Sequence, residues 1–580
     1  MPDVRTQELA RRLAVARGDE PADLVLRGGR VFSVFTNEFL DVDVAISDGH
    51  IAALGRYEGI ETSEVTGLTL LPGFIDGHLH IESTKLLPNQ FARAVLPHGT
   101  TTVVIDPHEI SNVFGLDGVR ELLRRADTVP LDVFMMVSSC VPASRFESSG
   151  ATVTPEEIER FLRTEPRALG VAEMMDYQGL AHGSPDALAK VEAAYEAGDR
   201  HIDGHAPGLT GHDLNAYLAA GAASDHECTT FEEALEKRRL GMWIMLREGS
   251  AARNLEALLP LVLRYGPRNC LLCTDDREPN DLRDEGHIDA VLRRAVQLGC
   301  PVEDALVMAT LNAARYHRLH RYGAIAPGRI ADVVAVAELE GFEPVRVWKA
   351  GRLVAQDGRP IDIPAIEPMP AWMHDSVHVR PLVAADLAVP AAARIRVIGV
   401  ESGQIVTRAL VDDATVREGV SVADPDRDLA KIAVVERHRN TGRIGLGFVR
   451  GFGIRHGAIA STHAHDAHNV VVVGSDDADM AAAVARLGEI GGGQVAVGGG
   501  AVLAEIPCPV GGLVSELPFE EVASRFDTLE DAAREIGVTL PAPFMALSFL
   551  ALSVVPELKM SDHGLVDTVG MRLVSIDAEG

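Results

Sequence analysis

Positive charge is the first thing this sequence has in short supply. Lys plus Arg number 54 against 84 for Asp plus Glu, a formal charge of −30, and no basic block along the chain compensates. A nucleic-acid-binding role is thereby disfavoured. Long apolar runs are missing too: the longest, from Phe544 to Val555, is well short of the roughly 20 residues that a spanning helix needs. The N-terminal MPDVRTQELARRL alternates charged and apolar residues where a signal peptide carries an uninterrupted apolar region. A cytosolic protein that engages neither nucleic acid nor membrane is expected. Cysteine is scarce, and six in 580 residues do not suggest a disulfide framework. Cys270 and Cys273 form one C-x-x-C inside NCLLCTDD, but no second pair exists to complete a zinc site. In an apolar strand, positions three apart face opposite sides, so these two read as buried structural cysteines.

What is present is an ordinary globular composition, 47% hydrophobic and 24% charged, which argues against extensive disorder. A chain of 580 residues is too long for one core, so two or three folded units are expected. Residues 1–70 hold an N-terminal segment and, from Asp23, short strand-like runs such as LVLRGGRVFSV and DVDVAISDGHIAALG, separated by Gly-containing turns. The same texture returns over residues 323–375, in ADVVAV and VRVWKAGRLVAQDG. These separated pieces are expected to form one small composite β-sandwich domain. Between them, over residues 71–322, eight strand-like runs alternate with helix-like ones: LPGFID, TTVVID, LDVFMMVS, ALGVAE, HIDGH, AASDH, GMWIML and NCLLCTD. That length and rhythm predict an α/β fold of the (β/α)8 TIM-barrel type. A doubly wound open sheet is the alternative, but no G-x-G-x-x-G follows the first strand. The Pro-rich IDIPAIEPMPAW marks a boundary, and residues 383–580 read as a C-terminal α/β-type domain with runs such as KIAVVER and AHNVVVVG.

The ends of the eight strands carry chemistry. His78 and His80 follow the first, Asp106, His108 and Glu109 the second, and Glu173 the fourth. His205 follows the fifth, His226 the sixth, Arg247 and Glu248 the seventh, and Asp275 with Asp276 the eighth. In a barrel those ends share one mouth, so residues nearly 200 positions apart would converge. His78 and His80, two apart in extended backbone, project to one side and can grip one cation. Glu173 can bridge that cation to another held by His205 and His226. Asp275 can ligate through one oxygen while the other meets water. Two ions about 3.5–4 Å apart would then activate a shared water at neutral pH. A lone strand-end His is usually a hydrogen-bonded structural residue, and a lone Asp or Glu there is often a helix N-cap. Six such residues at one end of successive strands favour the metal reading.

LPGFIDGHLH resembles the first-strand signature of the amidohydrolase superfamily, and YGAIAPGRIADVV resembles its return into the small β domain. Within it, DPHEISNV, AEMMDY, DGHAPGL, SDHECTT, MLREGSAARNL and, near the C-terminus, STHAHDAHNVVVVG resemble the adenine deaminases, so the likeness covers nearly the whole chain. The resemblance implies hydrolysis of adenine to hypoxanthine and ammonia, with two divalent ions, manganese or iron first and zinc as a third choice. By position His78 and His80 match the first metal pair, Glu173 the bridge, His205 and His226 the second pair, and Asp275 a ligand that also shuttles protons. Many superfamily members carry a carboxylated lysine where this sequence has Glu173. A small-molecule substrate and a homo-oligomer are expected.

His108, Glu109, Arg247 and Glu248 are candidates to contact the purine edge, or else to form a hydrogen-bond network at the mouth. Asp276, one residue beyond Asp275, is expected to point away as a cap or supporting partner. His463, His465, Asp466 and His468 crowd into six residues; such a run is either a solvated loop or an auxiliary set that reaches the active site or a further metal. The zinc nucleobase deaminases use H-x-E followed by P-C-x-x-C. Here Pro507-Cys508 has Gly511 where the second cysteine belongs, which excludes that class. The remaining alternatives are another amidohydrolase reaction, such as amino-sugar deacetylation or opening of a cyclic amide, and a non-catalytic scaffold of the same fold.

Overall fold

A computed structural model of the chain describes residues 4–579. The eight strand-like runs of the central region become eight barrel strands: β1 Phe74–Leu79, β2 Thr100–Ile105, β3 Asp132–Val137, β4 Ala168–Met174, β5 His201–Gly204, β6 Ser224–Asp225, β7 Trp243–Arg247 and β8 Cys270–Cys273. Parallel ladders join β1 through β5 in order, and β6 through β8 in order. Parallel bridges Ile202↔Ala222 and Leu79↔Asp275 close the ring, the second supported by His80 N–H donating to the Asp275 carbonyl at 3.2 Å. The barrel is therefore closed.

Its strands read as near-continuous apolar runs because both faces are covered. In β8, Cys270 packs outward among the helix-facing core while Cys273 packs inward with Ile75, Val104, Met136, Met245 and Leu271. All six cysteines are buried and free. The inward layer is a packed core, so chemistry is confined to the mouth. Local signals fix several helix starts: at Pro155–Thr164, Thr154 accepts from the Glu157 N–H, Glu157 reaches back, and Pro155 occupies the first turn.

The two separated β pieces do join. Thr69–Pro72 pairs antiparallel with Val333–Val336 inside a seven-stranded sheet, which stacks on a four-stranded sheet through Leu26, Val31, Val65, Leu70, Val333 and Trp348. The last strand of this sheet ends at Pro360, and the Pro-rich stretch beyond has no regular secondary structure and lies against the barrel helices. There the Pro364 carbonyl accepts from Asn89 and Glu367 pairs with Arg125 at 2.8 Å. A helix at Val4–Arg17 precedes the first strand; Met1 to Asp3 of the N-terminal segment lie outside the described residues.

The C-terminal part is an eight-stranded sheet paired antiparallel except where Arg394–Val400 meets Ile444–Arg450. Helix Asp477–Glu489 covers one face, and helices Phe519–Glu535 and Pro543–Phe549 cover the other. Strands covered on both faces look alike in sequence whether parallel or antiparallel, which is why the pairing was not readable from runs such as HNVVVVG. The apolar run from Phe544 is the short helix of this layer plus a buried turn, and no helix among the described residues is long and apolar enough to cross a membrane.

Candidate active site

At the barrel mouth β1 delivers His78 and His80 side by side, because residues two apart in a strand share a face. Their Nε2 atoms lie 3.3 and 3.2 Å from Oε1 of Glu173, at the end of β4. The other Glu173 oxygen, Oε2, lies 2.8 Å from His205 Nδ1 and 3.3 Å from His226 Nε2. One carboxylate thus divides its two oxygens between two histidine pairs. His80 donates Nδ1–H to the Asp106 carbonyl at 2.9 Å, which leaves its Nε2 lone pair facing the cluster. From β8, Asp275 brings Oδ1 to 3.0 Å from His80 Nε2 and 3.5 Å from His78 Nε2.

Arg247, from the end of β7, organises the far side. Its Nη1 donates to Glu227 Oε1 at 2.5 Å and to Asp275 Oδ2 at 2.6 Å, and its Nη2 donates to Glu227 Oε2 at 2.8 Å. Burial works against ionising Asp275, yet Arg247, His78 and His80 hold it well below the ordinary carboxylate range. Glu173 is likewise pushed up by burial and pulled well down by His226, His205 and His78. Glu227, opposed by burial and favoured first by Arg247, sits at about 2. Three ionised carboxylates in a dry pocket demand compensating positive charge.

The residues fit a metal by their own chemistry. His78 Nε2, Glu173 Oε1 and His205 Nε2 are buried with no hydrogen-bond partner among the described residues. His78, Glu173 and His226, and again His78, His80 and Asp275, each bring ligand atoms within 4.8 Å of one another. Four imidazoles and two carboxylates are a donor set for a divalent cation, and divalent metal binding is what the cluster is built for.

A small cavity adjoins the cluster. His108, Arg247 and Asp276 line it from the barrel, while Ile405, Phe549 and Leu552 of the C-terminal part close it from above. His465 and Asp466 also reach it, so the histidine-rich run is not a solvated loop: His463, His465, Asp466 and His468 are at most 3% exposed.

Three expectations need correction. Glu248 does not face the cavity; it accepts from the Leu255 N–H at 3.3 Å and lines a separate cleft with Arg253, Arg277 and Arg294. Adjacent strand residues point to opposite sides, so placing Arg247 inside sends Glu248 out. Glu109 does not line that cavity either. It starts the helix His108–Ala126 and turns toward His463, 3.3 Å away. Asp276 does not point away: Asp275 adopts φ 60°, which breaks the strand alternation and keeps Asp276 at the cavity, hydrogen-bonded to Ser83. Glu227 was missed altogether. Its only sequence signal was its place beside His226 in SDHECTT.

Residues 69–354 match the amidohydrolase family and residues 404–572 match the adenine deaminase C-terminal domain. An adenine deaminase of Desulfatibacillum aliphaticivorans is 46% identical over 565 residues, covering 97% of this chain and 99% of that one. An adenine deaminase of Cereibacter sphaeroides is 48% identical over 554 residues, covering 95% of this chain and 96% of that one. Among solved structures, a β-aspartyl dipeptidase of Fervidobacterium islandicum aligns with a TM-score of 0.44 at 19% identity, over 60% of this chain and 99% of that one. With near-identical extent and more than two-fifths identity to such relatives, the chain belongs to the adenine deaminase family of amidohydrolases.

Proposed function

We propose that this protein hydrolyses adenine to hypoxanthine and ammonia. The observation that carries the proposal is the convergence of two histidine pairs on the two oxygens of Glu173, with Asp275 against them, in a chain matched end to end by proteins named adenine deaminase. His78, His80 and Asp275 would hold one divalent ion and His205 with His226 a second, bridged by Glu173. Imidazole and carboxylate donors without thiolate suit manganese or iron, with zinc as a third choice. When bound, the ions supply Lewis-acid activation of water at neutral pH.

The chain's own residues do the rest. The apolar side chains of Ile405, Phe549 and Leu552 suit the faces of a planar base, and His108 and Arg247, which line the same cavity, would meet its edge. Asp275 keeps Oδ1 toward the histidines while Arg247 holds Oδ2, so the carboxylate is fixed in orientation. It takes a proton from the water that adds to C6 and returns it to the amino nitrogen as the C6–N bond breaks. The second water proton ends on the ring as the C6 carbonyl forms, and ammonia leaves. Glu227 neutralises Arg247 and keeps it aligned.

Purified, manganese-loaded protein should be incubated with adenine, adenosine, cytosine, guanine and N-acetylglucosamine 6-phosphate while ammonia and acetate are measured. Ammonia from adenine is expected. Acetate without ammonia would instead mark an amino-sugar deacetylase.

A further inference from the structure

Beside the barrel cluster lies a second one that uses none of its ligands. The loop after strand Ala458–Ser461 carries His463 and His465 down onto the first turn of helix His108–Ala126, where Glu109 stands. His463 Nε2 is 3.3 Å and His465 Nε2 3.7 Å from Glu109 Oε1, and ligand atoms of the three residues lie within 4.8 Å of one another. Donors about 2.1 Å from a tetrahedral ion sit roughly 3.4 Å apart, so these separations need little adjustment. His463 Nδ1 and Nε2, His465 Nε2 and Glu109 Oε2 are buried and have no hydrogen-bond partner among the described residues.

The tautomers sort the histidines. His465 Nδ1 faces Asp466 Oδ1 at 3.4 Å, the carboxylate–imidazole arrangement that turns the Nε2 lone pair outward to a metal. His468 differs: its Nδ1 accepts from the Ala464 N–H at 3.2 Å, so its Nε2 carries the proton and can serve as a donor only. Carboxylates outnumber their donors here. Ser83 has one hydroxyl proton for both Glu109 and Asp276, and buried Lys85 gives an N–H to the Ser83 carbonyl, at 2.8 Å. Removing that much carboxylate from water with only the Lys85 ammonium to offset it would be costly.

We infer that Glu109, His463 and His465 form a further divalent-metal site, separate from the barrel pair, that joins the C-terminal part to the mouth of the barrel. Asp276, 3.8 Å from His465 Nε2, stands by as an outer carboxylate. The expected ion is a first-row transition metal, since two imidazoles outweigh one carboxylate.

Cobalt(II) is the probe. In full-length protein carrying His78→Asn and His226→Asn, which cripples the barrel cluster, elemental analysis should still find about one tightly held cobalt per chain, with visible d–d absorption. Adding His463→Asn should remove that ion and its absorption, and Glu109→Gln, which preserves shape, should do the same. Far-UV circular dichroism verifies that each variant is folded. A folded barrel-cluster variant that binds no cobalt overturns the inference, as does one that keeps its ion after His463→Asn. The adenine reaction is judged separately: ammonia release by the unmutated enzyme can succeed or fail whatever the cobalt count.

Discussion

Replacing Asp275 with asparagine attacks the site where two demands meet on one side chain. Oδ2 accepts from Arg247 at 2.6 Å while Oδ1 lies 3.0 Å from His80 Nε2. An amide offers only one acceptor oxygen. If that oxygen stays with Arg247, an NH2 group faces His78 and His80; if it turns inward, two donors oppose each other in a dry pocket. Losing one charge-assisted hydrogen bond costs about 1.5–3 kcal/mol, roughly 10- to 10²-fold. Losing the proton acceptor costs about 10²–10⁴-fold on its own. The two effects share a transition state and do not simply multiply, so a fall in kcat of about 10³-fold or more is expected. Glu227→Gln leaves Asp275 intact and keeps one acceptor for Arg247, so a loss of about 10- to 10²-fold is expected there. Initial rates of ammonia release from saturating adenine, with metal content measured on the same samples, decide the matter. Asp275→Asn within tenfold of the unmutated enzyme at equal metal would refute the reasoning. Glu227→Gln falling as far as Asp275→Asn would move the proton acceptor to Glu227.

Two other outcomes follow from the same geometry. Glu173→Gln should lower tightly bound metal, because a neutral amide cannot give an anionic oxygen to each histidine pair; full metal and full activity in that variant would exclude Glu173 as the bridge. Lys559, buried beneath the cavity roof and donating to the Ile405 and Phe549 carbonyls, is brought by burial from 10.5 to about 7. Between those values the unfolded chain keeps a proton that the folded chain has shed, so folding stability gains from this group as pH rises, by up to about 1.4 kcal/mol per pH unit. Chemical denaturation from pH 7 to 10 should therefore show a steeper rise in the unmutated protein than in Lys559→Met, and equal slopes would show that Lys559 does not titrate there.

Much of this was legible in the residues. The alternation of apolar runs with helical ones carried the barrel, and strand-end positions carried the six side chains that converge at its mouth, because a closed parallel sheet sends every strand end to one mouth. What escaped depended on parity and on distant contacts. Arg247 and Glu248 are equivalent as text, and only the register of β7 decides which faces inward. Asp276 defied simple alternation because Asp275 leaves the extended region. Ile405, Phe549 and Leu552 carry no chemical signature, so nothing marked them as cavity residues before the chain was folded.

The cavity roof has a genetic consequence. A premature stop shortly after Pro360 would leave the barrel and both pieces of the β-sandwich in the product, with His78, His80, Glu173, His205, His226 and Asp275 all encoded. Such a product would nonetheless lack Ile405, Phe549 and Leu552, and its mouth would stand open to bulk water. Nonsense alleles between Pro360 and Phe549 should therefore behave as catalytic nulls while sparing all six codons of the barrel cluster.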